Sequence, residues 1–144
     1  MEPLIVPGTL DSLGAIAHYV ITAAQEAGLD KKTSYKLRLA VDEIATNIII
    51  HGYEKAGFDG QLVCHAELDK PALTIFLEDT GIPYDPIEQP NPDNLDQPLS
   101  ERPQGGLGVF LAIQSVDKFI YERVGNRNRN IFVVNRCTSH VEAK

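Results

Sequence analysis

Cysteine is scarce in this chain. Of its 144 residues only two are Cys, at positions 64 and 137 (Cys64 and Cys137), and no C-x-x-C spacing occurs. A disulfide framework is therefore not expected at this size, and a zinc site has too few thiols. Two reduced cysteines in or near strands are the expectation. Basic residues are also few. Lys and Arg number 13 against 20 Asp and Glu, giving a formal net charge of -7. A general nucleic-acid binder must meet a phosphate backbone with Lys and Arg, so direct nucleic-acid binding is not expected. A protein partner with a basic face remains compatible with this charge. No apolar run reaches the span of a transmembrane helix. The opening "MEPLIVPGTL" lacks the basic start and long apolar run of a secretory signal. A cytoplasmic location away from membranes is the resulting expectation.

What is present looks like one compact domain over residues 1–144, with hydrophobic content of 43% supporting a sizeable core. "PLIVP" is a strand candidate. From Thr9 to Ala27, Leu13, Ile16, Ala17, Val20, Ile21 and Ala24 recur at helical spacing, and Gly28 offers a stop. Asp30 can cap a second helix, expected to run to about His51 and end at Gly52. The period then changes to two. "GQLVCHAEL" and "PALTIFLED" read as strands joined by a turn at Asp69–Lys70–Pro71. A breaker-rich stretch follows, from about Pro86 to Gly105, long enough to be a lid or a binding loop. "LGVFLAIQSVDKF" is helical again, and "KFIYERV" and "RNIFVVNR" close the chain as a hairpin around Gly125–Asn126. Strands clustered around helices without strict alternation predict an α+β fold: two layers, with a mixed, mostly antiparallel sheet and helices on one face.

The second helix poses the central question. In "LRLAVDEIATNIIIHGY", Leu37, Val41, Ile44 and Ile48 form the core face, while Arg38, Asp42 and Thr46 form a solvent stripe. Glu43 and Asn47 lie on the other flank, one turn apart, among Leu39, Ala40 and Ile50. Spacing alone is satisfied by an exposed helix edge. A buried carboxylate would instead need a partner or a cleft. The chemistry available to the pair is oxygen ligation of Mg²⁺ and proton acceptance. His51 extends the series, and its expected role is structural, near the helix end.

Two glycine-bearing segments add to this. In "FLEDTGIPYDP", Asp79 ends an apolar strand and Gly81 follows two residues later. A carboxylate there can accept from an exocyclic amine, and Gly81 lets a flat ring approach the backbone, a combination suited to adenine. A D-x-G turn ending a strand has the same spelling. In "QGGLGVFLAI", Gly105, Gly106 and Gly108 open a helix, where free N–H groups make an anion site; a hinge has the same spelling. Arg102, just before them, is a candidate for neutralising the charge of such an anion, and a solvated loop arginine fits equally well.

Taken in order, "VDEIATNIIIHGY", "EDTGIPYDP" and "GGLGVFLAIQSVDKFIYER" resemble the N, G1 and G2 boxes of the GHKL, or Bergerat-fold, ATPases. The branch they resemble is the small anti-sigma factor serine/threonine kinases of bacteria, and "NRNRNIFVVNR" resembles that branch's closing strand. The resemblance implies ATP and Mg²⁺ as ligands. It implies Asn47 as the Mg²⁺-binding amide and Glu43 as the general base. It implies Asp79 and Gly81 as the adenine-binding pair, with Gly105, Gly106 and Gly108 beside the phosphates. It further implies a sigma factor held inactive, a small anti-anti-sigma protein phosphorylated on serine, and a homodimer. The alternative activity is a non-catalytic, ATP-gated binding module in a partner-switching system.

Overall fold

The structure is a computed structural model that describes residues 1–57, 59–86 and 106–136. Strand β1 (Leu4–Pro7) leads through a 3-10 turn at Leu10–Ser12 into helix α1 (Leu13–Glu26) and then helix α2 (Lys31–Asn47). A π-helical segment, Ile48–Glu54, continues α2. Strands β2 (Gln61–Leu68) and β3 (Ala72–Asp79) follow, then α3 (Gly106–Gln114), β4 (Lys118–Val124) and β5 (Arg127–Asn135). The strands form one sheet in the order β1-β2-β3-β5-β4. The sheet, expected to be mixed and mostly antiparallel, is antiparallel at every pairing among the described residues.

Local signals account for most boundaries. Asp30 caps α2 by accepting from the Thr33 backbone N–H at 2.7 Å. Gly28 stops α1 with a φ of 78°, a conformation that costs glycine nothing. Gly125, at φ 62°, opens the two-residue turn between β4 and β5. Asp69 closes the β2–β3 turn through both its backbone N–H and its carboxylate.

The core lies between the sheet and the helices. Leu62 and Cys64 from β2, Leu73, Ile75 and Leu77 from β3, and Phe132 and Val134 from β5 face the helices and are buried. Ala23 and Ala24 of α1 and Ala40 and Ala45 of α2 are buried too, and such small side chains let the layers approach closely. Tyr19 pins α1 across the interface: its hydroxyl accepts from the Ala66 N–H and donates to the Glu2 carbonyl. Cys64 is a free thiol, pushed up to about 12 by burial. Cys137 lies outside the described residues, as do Arg102 and all of the 86–105 segment except Pro86.

One expectation is corrected. The second helix does not end at Gly52. Its α-helical part stops at Asn47, and the wider π turn carries the chain on to Glu54, with the Lys55 N–H bonding the Ile50 carbonyl. The cause is tertiary. Gly52 is buried under the turn that follows β3, and Tyr53 is buried with its hydroxyl bonded to both β2 and that same turn. A π turn inside an otherwise regular helix often marks a functional position.

Candidate functional site

Strand β3 delivers Asp79 to the buried face at its last residue, where Asp79 pairs with Asn128 of β5. The carboxylate is only 3% exposed. Its Oδ1 accepts from the Gly81 N–H at 2.8 Å and from Asn128 Nδ2 at 2.9 Å. Its Oδ2 is fully buried and has no hydrogen-bond partner among the described residues. Burial pushes the Asp79 carboxyl above its ordinary range, opposed by the bonds from Asn128 and Gly81 and by the Arg123 charge. An unpaired buried acceptor is costly, so it signals a missing donor. A second orphan, Asn130 Oδ1, sits two residues further along β5 on the same buried face.

The turn after β3 is held from several sides. Asn128 Nδ2 is shared among Asp79 Oδ1, the Gly81 carbonyl at 3.2 Å and the Ile82 carbonyl at 2.9 Å. Asn128 Oδ1 in turn accepts from the Tyr121 hydroxyl and from Arg123 Nη1, and that same Nη1 reaches the Gly81 carbonyl at 3.0 Å. On the helix side, the Thr80 N–H donates to the Tyr53 hydroxyl at 3.0 Å. Gly81 itself admits no side chain: a Cβ there would lie 2.7 Å from the Gly52 carbonyl oxygen. Asn128, Arg123, Tyr121 and Tyr53 were not singled out from the sequence. The strand reading of "RNIFVVNR" begins at Arg129, and β5 begins two residues earlier, at Arg127. Its alternation of buried Asn with more exposed Arg was the available signal.

The flank of α2 meets this region from the other side. Asn47 is 4% exposed and Glu43 is half-buried, so the exposed-edge reading of the pair does not hold. Asn47 Nδ2 donates to the Glu43 carbonyl at 3.1 Å and, more loosely, to Glu43 Oε2 at 3.4 Å. Burial pushes the Glu43 carboxyl upward, the Asp42 charge adds to this, and the bond from Asn47 opposes it. Gly108, in the first turn of α3, lies directly on that carboxylate: a Cβ there would be 2.6 Å from Oε2. Gly106 starts the same helix, and Gly105 lies outside the described residues. Tyr84 links the two halves. Its ring stacks on His51 at 5.8 Å, and burial and then the Glu43 charge raise its phenol. His51 is thus a packing residue at the helix end, and burial lowers its imidazole.

The arrangement offers a buried acceptor beside a glycine at one end and a carboxylate–amide pair under a helix N-terminus at the other. A comparison with protein families places it. The family profile described as the histidine kinase-like ATPase domain matches residues 6–134. The chain belongs to that family. Among curated relatives of this ATPase domain, "Serine-protein kinase RsbW" of Halalkalibacterium halodurans is 28% identical over 118 residues, covering 80% of this chain and 71% of the relative. "Anti-sigma F factor" of Clostridium beijerinckii is 40% identical over 75 residues, covering 51% of this chain and 52% of that protein. Among solved structures, the histidine kinase domain of the Erythrobacter litoralis EL346 blue-light activated histidine kinase superposes with a TM-score of 0.57 at 16% identity. That match covers 91% of this chain and 62% of the kinase domain, and it speaks to the fold. The chain therefore spans about half of one matched relative and less than two thirds of this structural neighbour.

Proposed function

We propose that this chain is an ATP-binding anti-sigma regulatory factor. In this reading it holds a sigma factor inactive and transfers the γ-phosphoryl group of ATP to a serine of an anti-anti-sigma partner. The observation that carries the reading is the orphaned Asp79 Oδ2. An exocyclic amine is the donor it lacks, and Gly81 keeps the adjoining backbone clear for a flat ring. The named relatives support the kinase and anti-sigma roles. The chain's described residues share one sheet and one core, which supports a single ATPase domain over 1–144.

At the other end, the Asn47 amide oxygen is the group suited to Mg²⁺, which takes few protein ligands and borrows phosphate oxygens and waters. When bound, the ion neutralises phosphate charge. Glu43 acts as general base. It takes the proton of the partner's serine hydroxyl as that oxygen bonds to the γ-phosphorus, and the bond to the ADP oxygen breaks. A raised carboxyl suits this task, because proton acceptance improves as a base's pKa nears the working pH. Gly106 and Gly108 bring the first turn of α3, with its free N–H groups, toward the phosphates. Gly105 and the segment from about 86 form the lid in this proposal, and the working form is a homodimer.

The test follows labelled γ-phosphate from ATP into the cognate anti-anti-sigma protein, with sigma-factor binding measured alongside. Transfer to one serine is expected. Binding of a sigma factor that depends on ATP, without any transfer, would replace the kinase by an ATP-gated binding module.

A further inference from the structure

We infer that the groove between α1 and α2 docks an acidic, amphipathic segment of a protein partner. The groove has a volume of about 340 Å³, with Ile21 and Leu29 among its apolar lining and Lys31, Tyr35 and Arg38 around it. Four of the chain's 13 Lys and Arg residues fall between positions 31 and 38, in a molecule of net charge -7. Two of them, Lys31 and Lys32, occupy the first turn of α2, which contains no acidic residue. Lys32 and Lys36 interact with the Asp30 cap carboxylate, whereas Lys31, which lines the groove, meets the positive end of the helix dipole, which disfavours cations. A local rule broken without a structural gain points to a use elsewhere.

The surface chemistry specifies that use. Tyr35 is 55% exposed and Leu39 is 42% exposed, one turn apart on the same face. The Arg38 guanidinium lies over the Tyr35 ring at 6.0 Å, which presents its fork beside an aromatic anchor. Tyr and Arg are the residues that most often dominate interface energies. A partner helix with one apolar face would seat its anchors in the groove, and its carboxylates would meet the lysines and Arg38. The recessed apolar floor suits an inserted side chain better than a flat lipid surface or a sugar-phosphate chain. Tyr35 lies about 18 Å along the helix from Asn47, so the inference stands independently of the nucleotide reading.

The probe is a fluorescein-labelled amphipathic peptide with Leu and Phe on one face and Glu on the other, added to the full chain. Matched controls carry Lys for Glu, or Ala for Leu and Phe; phosphatidylserine vesicles and a single-stranded oligonucleotide complete the set. Amide shifts confined to residues 21–39 are expected with the acidic peptide alone. Lys31→Glu with Arg38→Glu, and separately Tyr35→Ala, should each weaken binding about tenfold or more, while melting temperature stays near wild type. Loss of affinity equally shared by the acidic and basic peptides would overturn the inference. So would stronger binding to vesicles or oligonucleotide, shifts centred elsewhere, or no shifts at millimolar peptide.

Discussion

The two ends of the candidate site are built differently. At the Asp79 end, three strands and a π-helical turn converge, and Asn128, Arg123 and Tyr53 tie the turn carrying Gly81 in place. At the Glu43 end, the loose 3.4 Å contact from Asn47 and the face of Gly108 hold the carboxylate. A recognition element gains from being rigid before the ligand arrives, because ordering it then costs nothing further. A base must instead meet a proton that exists in place only once substrate is bound, and such bonds tighten in the complex. Under the proposed function, selectivity belongs to the sheet end and chemistry to the helix end.

Substitutions can break that division, and the largest effect is expected at the helix end. Glu43→Ala should lower phosphoryl transfer about 10²–10⁴-fold while leaving ATP affinity near wild type. A parallel loss in both would erase the distinction between the ends. Gly108→Ala is next. Its Cβ would collide with the far end of a flexible side chain, so the fold should adapt with little loss of stability. The displaced Glu43 should still lower transfer by about 10²-fold, as a misplaced catalytic group does. Gly81→Ala should behave oppositely. Its Cβ would strike the Gly52 backbone, which cannot swing aside, so unfolding should show a loss of about 1–3 kcal/mol. If Gly108→Ala unfolds the protein and Gly81→Ala does not, the contrast between a rigid and a yielding end is wrong.

The smallest effect concerns pH. Asp79 is raised above its ordinary 3.8 by burial. A carboxyl whose native pKa is raised holds its proton more tightly folded than unfolded. Its contribution to the stability of the nucleotide-free protein therefore falls as pH rises from 3.8 through the raised value. Adenine affinity should move the other way: Oδ1 already accepts from Gly81 and Asn128, so the proton of the neutral acid falls on Oδ2 and turns it toward the amine as a donor, and affinity should fall as pH is lowered through the same window. Asn128→Ala removes a bond that favours the ionised form, so both midpoints should shift upward. Melting curves and ATP titrations across acidic pH, compared with Asp79→Asn, would show the opposed slopes or their absence.

Much of this was readable in the sequence because it is local. Asp30 as a cap, Gly28 as a stop and the period-two strands depend on neighbours along the chain, and each stands where its residue type places it. The shared flank of Glu43 and Asn47 follows from helix geometry in the same way. Their burial does not, because it depends on α3 arriving from over fifty residues away with Gly108 against Glu43. The π turn was invisible for a similar reason: no side-chain period announces it, and the packing of Gly52 on Gly81 dictates it. Asn128 was hidden by its polarity. An apolar period of two does not pick out a buried Asn, whose place follows only from the buried carboxylate it serves.

The central claim is that Asp79 Oδ2 awaits an exocyclic amine. Calorimetric titration with ATP, GTP and ITP, on wild type and on Asp79→Asn, tests it most directly. GTP and ITP place a carbonyl oxygen where ATP has its amine, and that oxygen would face the carboxylate. A missing or misplaced hydrogen bond costs about 1–3 kcal/mol, so ATP should bind about 5–150-fold more tightly than either. Asp79→Asn, which can donate as well as accept, should narrow that gap. Equal affinities for the three nucleotides, unchanged in Asp79→Asn, would contradict the account.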